Sequence, residues 1–243
     1  MNTLKKTLLA VPAALLAFTA FAQAPNQYDP KAKAILDEVS KTAKAYSTIN
    51  AAFTITVSKP DGSSEIKNGT VAMKNGKYKI VLENKSGDKI KKEEYYNNGK
   101  TTWVYSEKDN EVTIDCAPDP NAKKSENTIS PNDIFTIHEK GFKYTFIKEE
   151  TQKDGKVVQL INLIPEKPEK KNYHTVKLTI DKAKKQIIKV VFMNKDGSTI
   201  TYAVKSFTPN LDTPDTTFRF DVKAHPGVSI VNLREGDCGD TEK

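Results

Sequence analysis

Tyr95-Tyr96-Asn97-Asn98-Gly99-Lys100-Thr101-Thr102-Trp103-Val104-Tyr105 places the single tryptophan of the chain on an aromatic run that follows an Asn-Gly pair. Asn and Gly tolerate positive φ best, so Asn98-Gly99 predicts a tight type I′ turn. Aromatic and β-branched side chains on either side fit a pleated, half-buried surface. The stretch therefore predicts an antiparallel hairpin, and its pattern continues in both directions.

Upstream, Ala51, Phe53, Ile55 and Val57 share one face of a period-two alternation, with Ala52, Thr54, Thr56 and Ser58 on the other. Asp61-Gly62 and Asn75-Gly76 are turns around Val71 and Met73, and Tyr78, Ile80 and Leu82 then alternate with Lys79, Val81 and Glu83. Downstream come Val112, Ile114 and Cys116, then Phe142, Tyr144 and Phe146. Val157 to Ile164 is apolar enough to be covered on both faces. Further strands are predicted around Leu178, Val190, Tyr202 and finally Phe218, Phe220 and Val222. About ten or eleven short strands with regular turns predict a mainly β chain with minor α, an antiparallel meander curling toward a barrel.

Two helices interrupt this pattern. Asp29 suits an N-cap and Pro30 the first helical position; Ala32, Ile35, Leu36, Val39, Ala43 and Tyr46 then form an apolar stripe. Ser130-Pro131-Asn132-Asp133 predicts a second helix start, with Ile134, Phe135, Ile137 and His138 following and Gly141 as the stop. Only about two turns long, that helix needs its apolar side packed.

The ends bound the setting. Lys5 and Lys6, then the apolar run from Leu8 to Phe21 and the small-x-small Ala20-Phe21-Ala22, read as a cleaved secretory leader over residues 1–22. The predicted layout is that leader, a single domain over 23–234 and a polar tail over 235–243. No cysteine follows the cleavage site, so a lipid anchor is not expected, and no later run is long enough to span a membrane. A soluble periplasmic protein is the expectation. Cys116 and Cys238 are the only cysteines, and an exported compartment permits their pairing. Two free thiols are the alternative.

Function classes narrow by what is missing. The net charge is +7, but Arg219 and Arg234 are the only arginines and lysines are scattered among acids. A nucleic-acid partner is therefore not expected. No Gly-x-Ser-x-Gly, Cys-x-x-Cys, His-Glu-x-x-His or phosphate loop occurs. His138, His174 and His225 read as structural or solvated, so no catalytic residue, metal ligand or cofactor is assigned and enzyme activity is not expected. A carboxylate pair assembled only by folding stays open.

The hairpin segment Asn98 to Tyr105 resembles that of the periplasmic lipoprotein carrier (LolA-like) family. Ser47 to Thr54, Gly69 to Lys74, Ile134 to His138, and Thr217 to Phe220 with Pro226-Gly227-Val228 are similar to that family's segments in the same order. The resemblance implies an unclosed antiparallel barrel covered by helices around an apolar cavity. It also implies a periplasmic chaperone, monomeric, that takes acylated lipoproteins from an inner-membrane lipoprotein-releasing transporter to an outer-membrane acceptor. Phe53, Ile55, Met73, Tyr78, Ile80, Trp103, Tyr105, Ile134, Phe135 and Phe146 are the cavity candidates. Family carriers hold the lid through an arginine after the second strand; here Met73-Lys74-Asn75-Gly76-Lys77-Tyr78 has none, so Lys74 or Lys77 would have to substitute without a planar fork. Two other readings remain: a lipid- or lipoprotein-sensing regulator that binds a membrane signalling protein, and an enzyme acting on an envelope lipid or glycan.

Overall fold

The alternation that opens at Ile49 builds one continuous sheet. A computed structural model describes residues 28–86, 89–119, 131–139, 141–236 and 238; the expected leader, the Ser130 cap and most of the tail lie outside the described residues. Helix α1 (Pro30–Lys44) precedes β1 (Ile49–Ser58), β2 (Ser64–Lys74), β3 (Lys77–Ser86), β4 (Lys89–Asn97), β5 (Thr101–Ser106) and β6 (Glu111–Cys116). A 3₁₀ segment (Pro131–Glu139) leads to β7 (Phe142–Thr151), β8 (Val157–Pro165), β9 (Tyr173–Asp181), β10 (Gln186–Asn194) and β11 (Thr199–Pro209). After two short 3₁₀ turns, β12 (Ser229–Asn232) ends the series.

The strand order is β12-β6-β5-β4-β3-β2-β1-β11-β10-β9-β8-β7. Every pair is antiparallel except β12 with β6, and β7 and β12 stand at opposite edges, so the barrel is unclosed. Both edges are blunted, as exposed ladders invite unwanted pairing. Tyr28 bridges to Tyr144 on β7, while β12 is only four residues long.

Cover is unequal on the two halves. On the concave face of β7–β10, Ala32, Leu36 and Val39 of α1 and Ile137 of the 3₁₀ segment pack on Tyr144, Ile161, Leu163, Val176, Leu178 and Val190. Asp29 caps α1 by accepting from the Lys31 and Ala32 N–H groups, and also accepts from the Phe146 N–H, fixing the helix to β7. On β4–β6 the covered face is the outer one. There Tyr96, Trp103, Tyr105, Val112 and Ile114 are sealed by Phe220 and Val228 of the chain beyond β11. His225 stacks on Phe220 with ring centroids 4.4 Å apart and lies 4.6 Å from Tyr105. This strap is tied down by Lys77 and Lys74, which pair with Asp215 at 2.6 and 3.0 Å. The Lys74 ammonium also donates to the Thr213 carbonyl. At its far end Cys238 is disulfide-bonded to Cys116, 122 positions away in sequence.

Four expectations need correction. The segment around Phe218 to Val222 is two 3₁₀ turns, not a strand, because it crosses the sheet's outer face without an edge to join. The last strand is instead β12, whose parallel pairing with β6 departs from an all-antiparallel meander. The second helix is 3₁₀ and kinked at Thr136 (φ −119°). Of Asn98-Gly99 only Gly99 takes positive φ; the loop spans three residues, closed by Asn98 Oδ1 accepting from the Lys100 and Thr101 N–H groups. Asn75-Gly76, with φ of 48° and 82°, is the pair that forms the primed two-residue turn.

A bond that closes so long a loop restricts the unfolded chain. Cys116→Ala/Cys238→Ala should lower stability by up to about 5 kcal/mol, read by urea unfolding without reductant; an unchanged midpoint would contradict the role given to the bond.

Candidate functional site

Where α1 stops, no described element covers the concave face. Strand register sets side chains in transverse rows across β4, β3, β2, β1 and β11. Glu93, Leu82, Gly69, Phe53 and Val204 form one row; Tyr95, Ile80, Val71, Ala51 and Phe207 form the next. Apart from Glu93 and Gly69, these residues with Ile55, Met73, Ile49, Ile200 and Tyr202 floor an apolar hollow of ≈ 1140 Å³, bounded on the far side by Ile187, Val190, Phe192 and Tyr173 and overhung by Phe135. Most of the floor is only half-buried, and Tyr202 is 38% exposed. Apolar side chains held at a surface without protein cover mark a place for another molecule.

Gly69 decides the shape of that floor. A Cβ there would lie 2.5 Å from Phe53 Cζ and 3.0 Å from Leu82 Cδ2. The Phe53 ring lies over this gap, so the middle of the hollow stays broad where a larger residue would divide it.

One end of the hollow is polar. Glu169, Lys171, Asn172, Asn194, Lys195 and Asp196 form its rim on the β8–β9 and β10–β11 loops. Lys195 joins the two loops: its N–H donates to the Asn172 carbonyl at 2.9 Å and its ammonium to the Pro168 carbonyl at 2.6 Å. Ser198 donates to Asp196 and holds that carboxyl below the usual carboxylate range. Glu169 and Asp196 are the lining carboxylates, both on the rim, and no described lining residue is a histidine.

The overhanging 3₁₀ segment is clasped to one side of α1. Ser40 Oγ donates to the Phe135 carbonyl at 2.6 Å, Lys44 pairs with Glu139 at 3.4 Å, and His138 Nε2 stands 3.5 Å from Asp37 Oδ1. His138 is buried, edge-on to Tyr144, and neither ring nitrogen has a hydrogen-bond partner among the described residues. Burial pushes its pKa down, with Asp37 opposing.

The sequence candidates divide. Phe53, Ile55, Met73, Ile80 and Phe135 line the hollow. Tyr78 sits beside Met73 on the same face, just past the lining. The Ile134 side chain lies outside the described residues. Phe146 packs beneath the start of α1 with the Lys31 ammonium 3.6 Å above its ring. Trp103 and Tyr105 are corrected: Tyr96, not Tyr95, pairs with Trp103, so both belong to the strap core on the opposite face. Lys74 and Lys77 are corrected too, because they hold the strap and not the lid. Sequence reasoning left out Leu82, Tyr95, Val190, Phe192 and Val204, although the alternation through Ile80-Leu82 and Ile200-Tyr202-Val204 carried the signal.

A family model described as outer membrane lipoprotein carrier protein LolA matches residues 44–221. An uncharacterized conserved protein from Thermus thermophilus is similar in structure, at 13% identity and a TM-score of 0.52, covering 83% of this chain and 99% of that one. A LolA superfamily protein from Nitrosomonas europaea gives 14% identity and a TM-score of 0.39, covering 78% of this chain and 98% of that one. The MucA/MucB complex of Pseudomonas aeruginosa gives 9% and 0.42, covering 79% of this chain and 62% of that one. No curated protein sequence matches the chain.

Two outcomes follow from the geometry. Gly69→Ala should displace the Phe53 ring and cost about 1 kcal/mol in urea unfolding; an unshifted ring at full stability would contradict the close approach. The unfolded His138 imidazole titrates near about 6.5 and the folded one lower, so the unfolded chain takes the proton first. The stabilisation is complete above that value and is lost as pH falls through it toward the folded pKa. Thermal unfolding from pH 7 to 5 should therefore fall more steeply for the wild type than for His138→Gln; equal slopes would refute it.

Proposed function

We propose, from the premise that this chain belongs to the outer membrane lipoprotein carrier protein LolA family, that it shelters the acyl chains of lipoproteins in the concave hollow during transfer through the periplasm. An inner-membrane lipoprotein-releasing transporter would supply the cargo and an outer-membrane acceptor would receive it. No helix among the described residues is long and apolar enough to cross a membrane.

The observation that carries this reading is the apolar floor around Phe53, Ile80 and Leu82, left open among the described residues. Each methylene moved from water to such a surface is worth about 0.8 kcal/mol, so roughly fourteen of them give at most about 11 kcal/mol. The true gain is smaller, since a hollow open along one side leaves part of the chain wet. That suits a carrier, which must hold its load firmly enough to cross water and loosely enough to give it up.

The reading is tested by titrating the delipidated protein with a fluorescent long-chain acyl probe and a diacylated peptide. Both should bind, and Ile80→Asp or Leu82→Asp should weaken binding at least about tenfold by placing a charge against the chain, with thermal unfolding confirming an intact fold. A wild type that binds neither, or variants that bind as well, would overturn it.

A further inference from the structure

On the lid half of the sheet the outer face is covered at one end, where Val158, Thr179 and Asp181 are buried, and exposed over the rest. On it, register sets Lys177 beside Asn162 and Val191 and Lys143 beside Ile164, while Lys189, beside Thr179 and Ala203, also borders the hollow. Lys205 joins them at the irregularity in the β1–β11 ladder. None of these four lysines makes an ion pair among the described residues. The contrast with the strap side is sharp, since there Lys74 and Lys77 are held by Asp215 and Lys79 by Glu94. Carboxylates touch this face only at its margin, where Glu150 is paired with Lys148 and Asp181 accepts from the Lys184 N–H. Between the lysines the face is threonine and apolar, with Ile164 45% exposed.

We infer that this outer face docks the protein reversibly on the anionic surface of a phospholipid bilayer. The charge is complementary, and the face is a sheet surface with the cations spread across several strands. That matches a laterally continuous anionic surface better than the discrete carboxylates of a protein partner, which planar arginine forks would recognise. An exposed isoleucine beside Lys143 adds apolar contact at the headgroup level. Each lysine near such a surface raises partitioning about fivefold, so binding is weak singly, substantial together and sensitive to salt. Docking by the back of the sheet leaves the concave hollow facing away and free to exchange its contents.

The full mature chain is sedimented with phosphatidylcholine vesicles, with and without phosphatidylglycerol. Binding is expected only to the anionic vesicles, and is lost at high salt. Lys143→Glu/Lys177→Glu/Lys205→Glu should reduce it at least about a hundredfold, while reversing the exposed turn residues Lys59, Lys108 and Lys153 reduces it far less. Circular dichroism melts of both variants exclude misfolding. A wild type that ignores anionic vesicles, including one that instead binds an acidic protein, overturns the inference. So does equal loss in the two variants, which would assign binding to net charge alone.

Discussion

A single sheet has two faces, and period-two alternation sends every second side chain to each, so a lone layer can bury only what something else covers. Here cover is supplied diagonally. The lid of α1 and the 3₁₀ segment lies on the concave face of β7–β10, and the strap beyond β11 lies on the outer face of β4–β6. Between them β1, β2, β3 and β11 present apolar residues inward with no layer above among the described residues. The hollow is therefore the part of the concave face that neither described cover reaches, with Gly69 keeping its floor undivided.

The strap and the lid do different jobs. Asp215, held below the usual carboxylate range by Lys77 and then Lys74, fixes the strap to the back of β2 and β3, and the Cys116–Cys238 bond fixes its far end. The floor is thus stiffened from behind, and no part of the described strap intrudes on its apolar side. The lid is held more lightly at the seam, through a short hydroxyl-to-carbonyl hydrogen bond, an exposed ion pair and a buried imidazole that has no hydrogen-bond partner among the described residues. Exposed ion pairs contribute little, so the overhanging Phe135 depends mainly on Ile137 packing in the core. Such an arrangement would suit the proposed admission and release of long chains.

Much of this was legible in the residues. Alternation and turn pairs gave the meander, and Asp29-Pro30 gave the start of α1 together with its buried stripe. What escaped has physical causes. Tyr95 and Tyr96 are adjacent, so composition marks both as buried, but alternation sends one into the hollow and the other, with Trp103, into the strap core. Periodicity says which residues share a face and not which face is inside. The strap escaped because Phe218 and Phe220 alternate like a strand while crossing the sheet as a cover. The lid's 3₁₀ geometry escaped because a stretch that short takes its shape from packing and not from propensity.

The central claim is that fatty chains lie on the open floor of β1–β3 and not under the lid or on the back of the sheet. Paramagnetic broadening of methyl signals by a doxyl-labelled fatty acid tests this directly. The account predicts strong broadening at Ile55, Ile80 and Leu82, with Leu163 beneath the lid and Ile164 on the outer face left sharp. Broadening centred on Ile164, or none at Ile80 and Leu82, would contradict it.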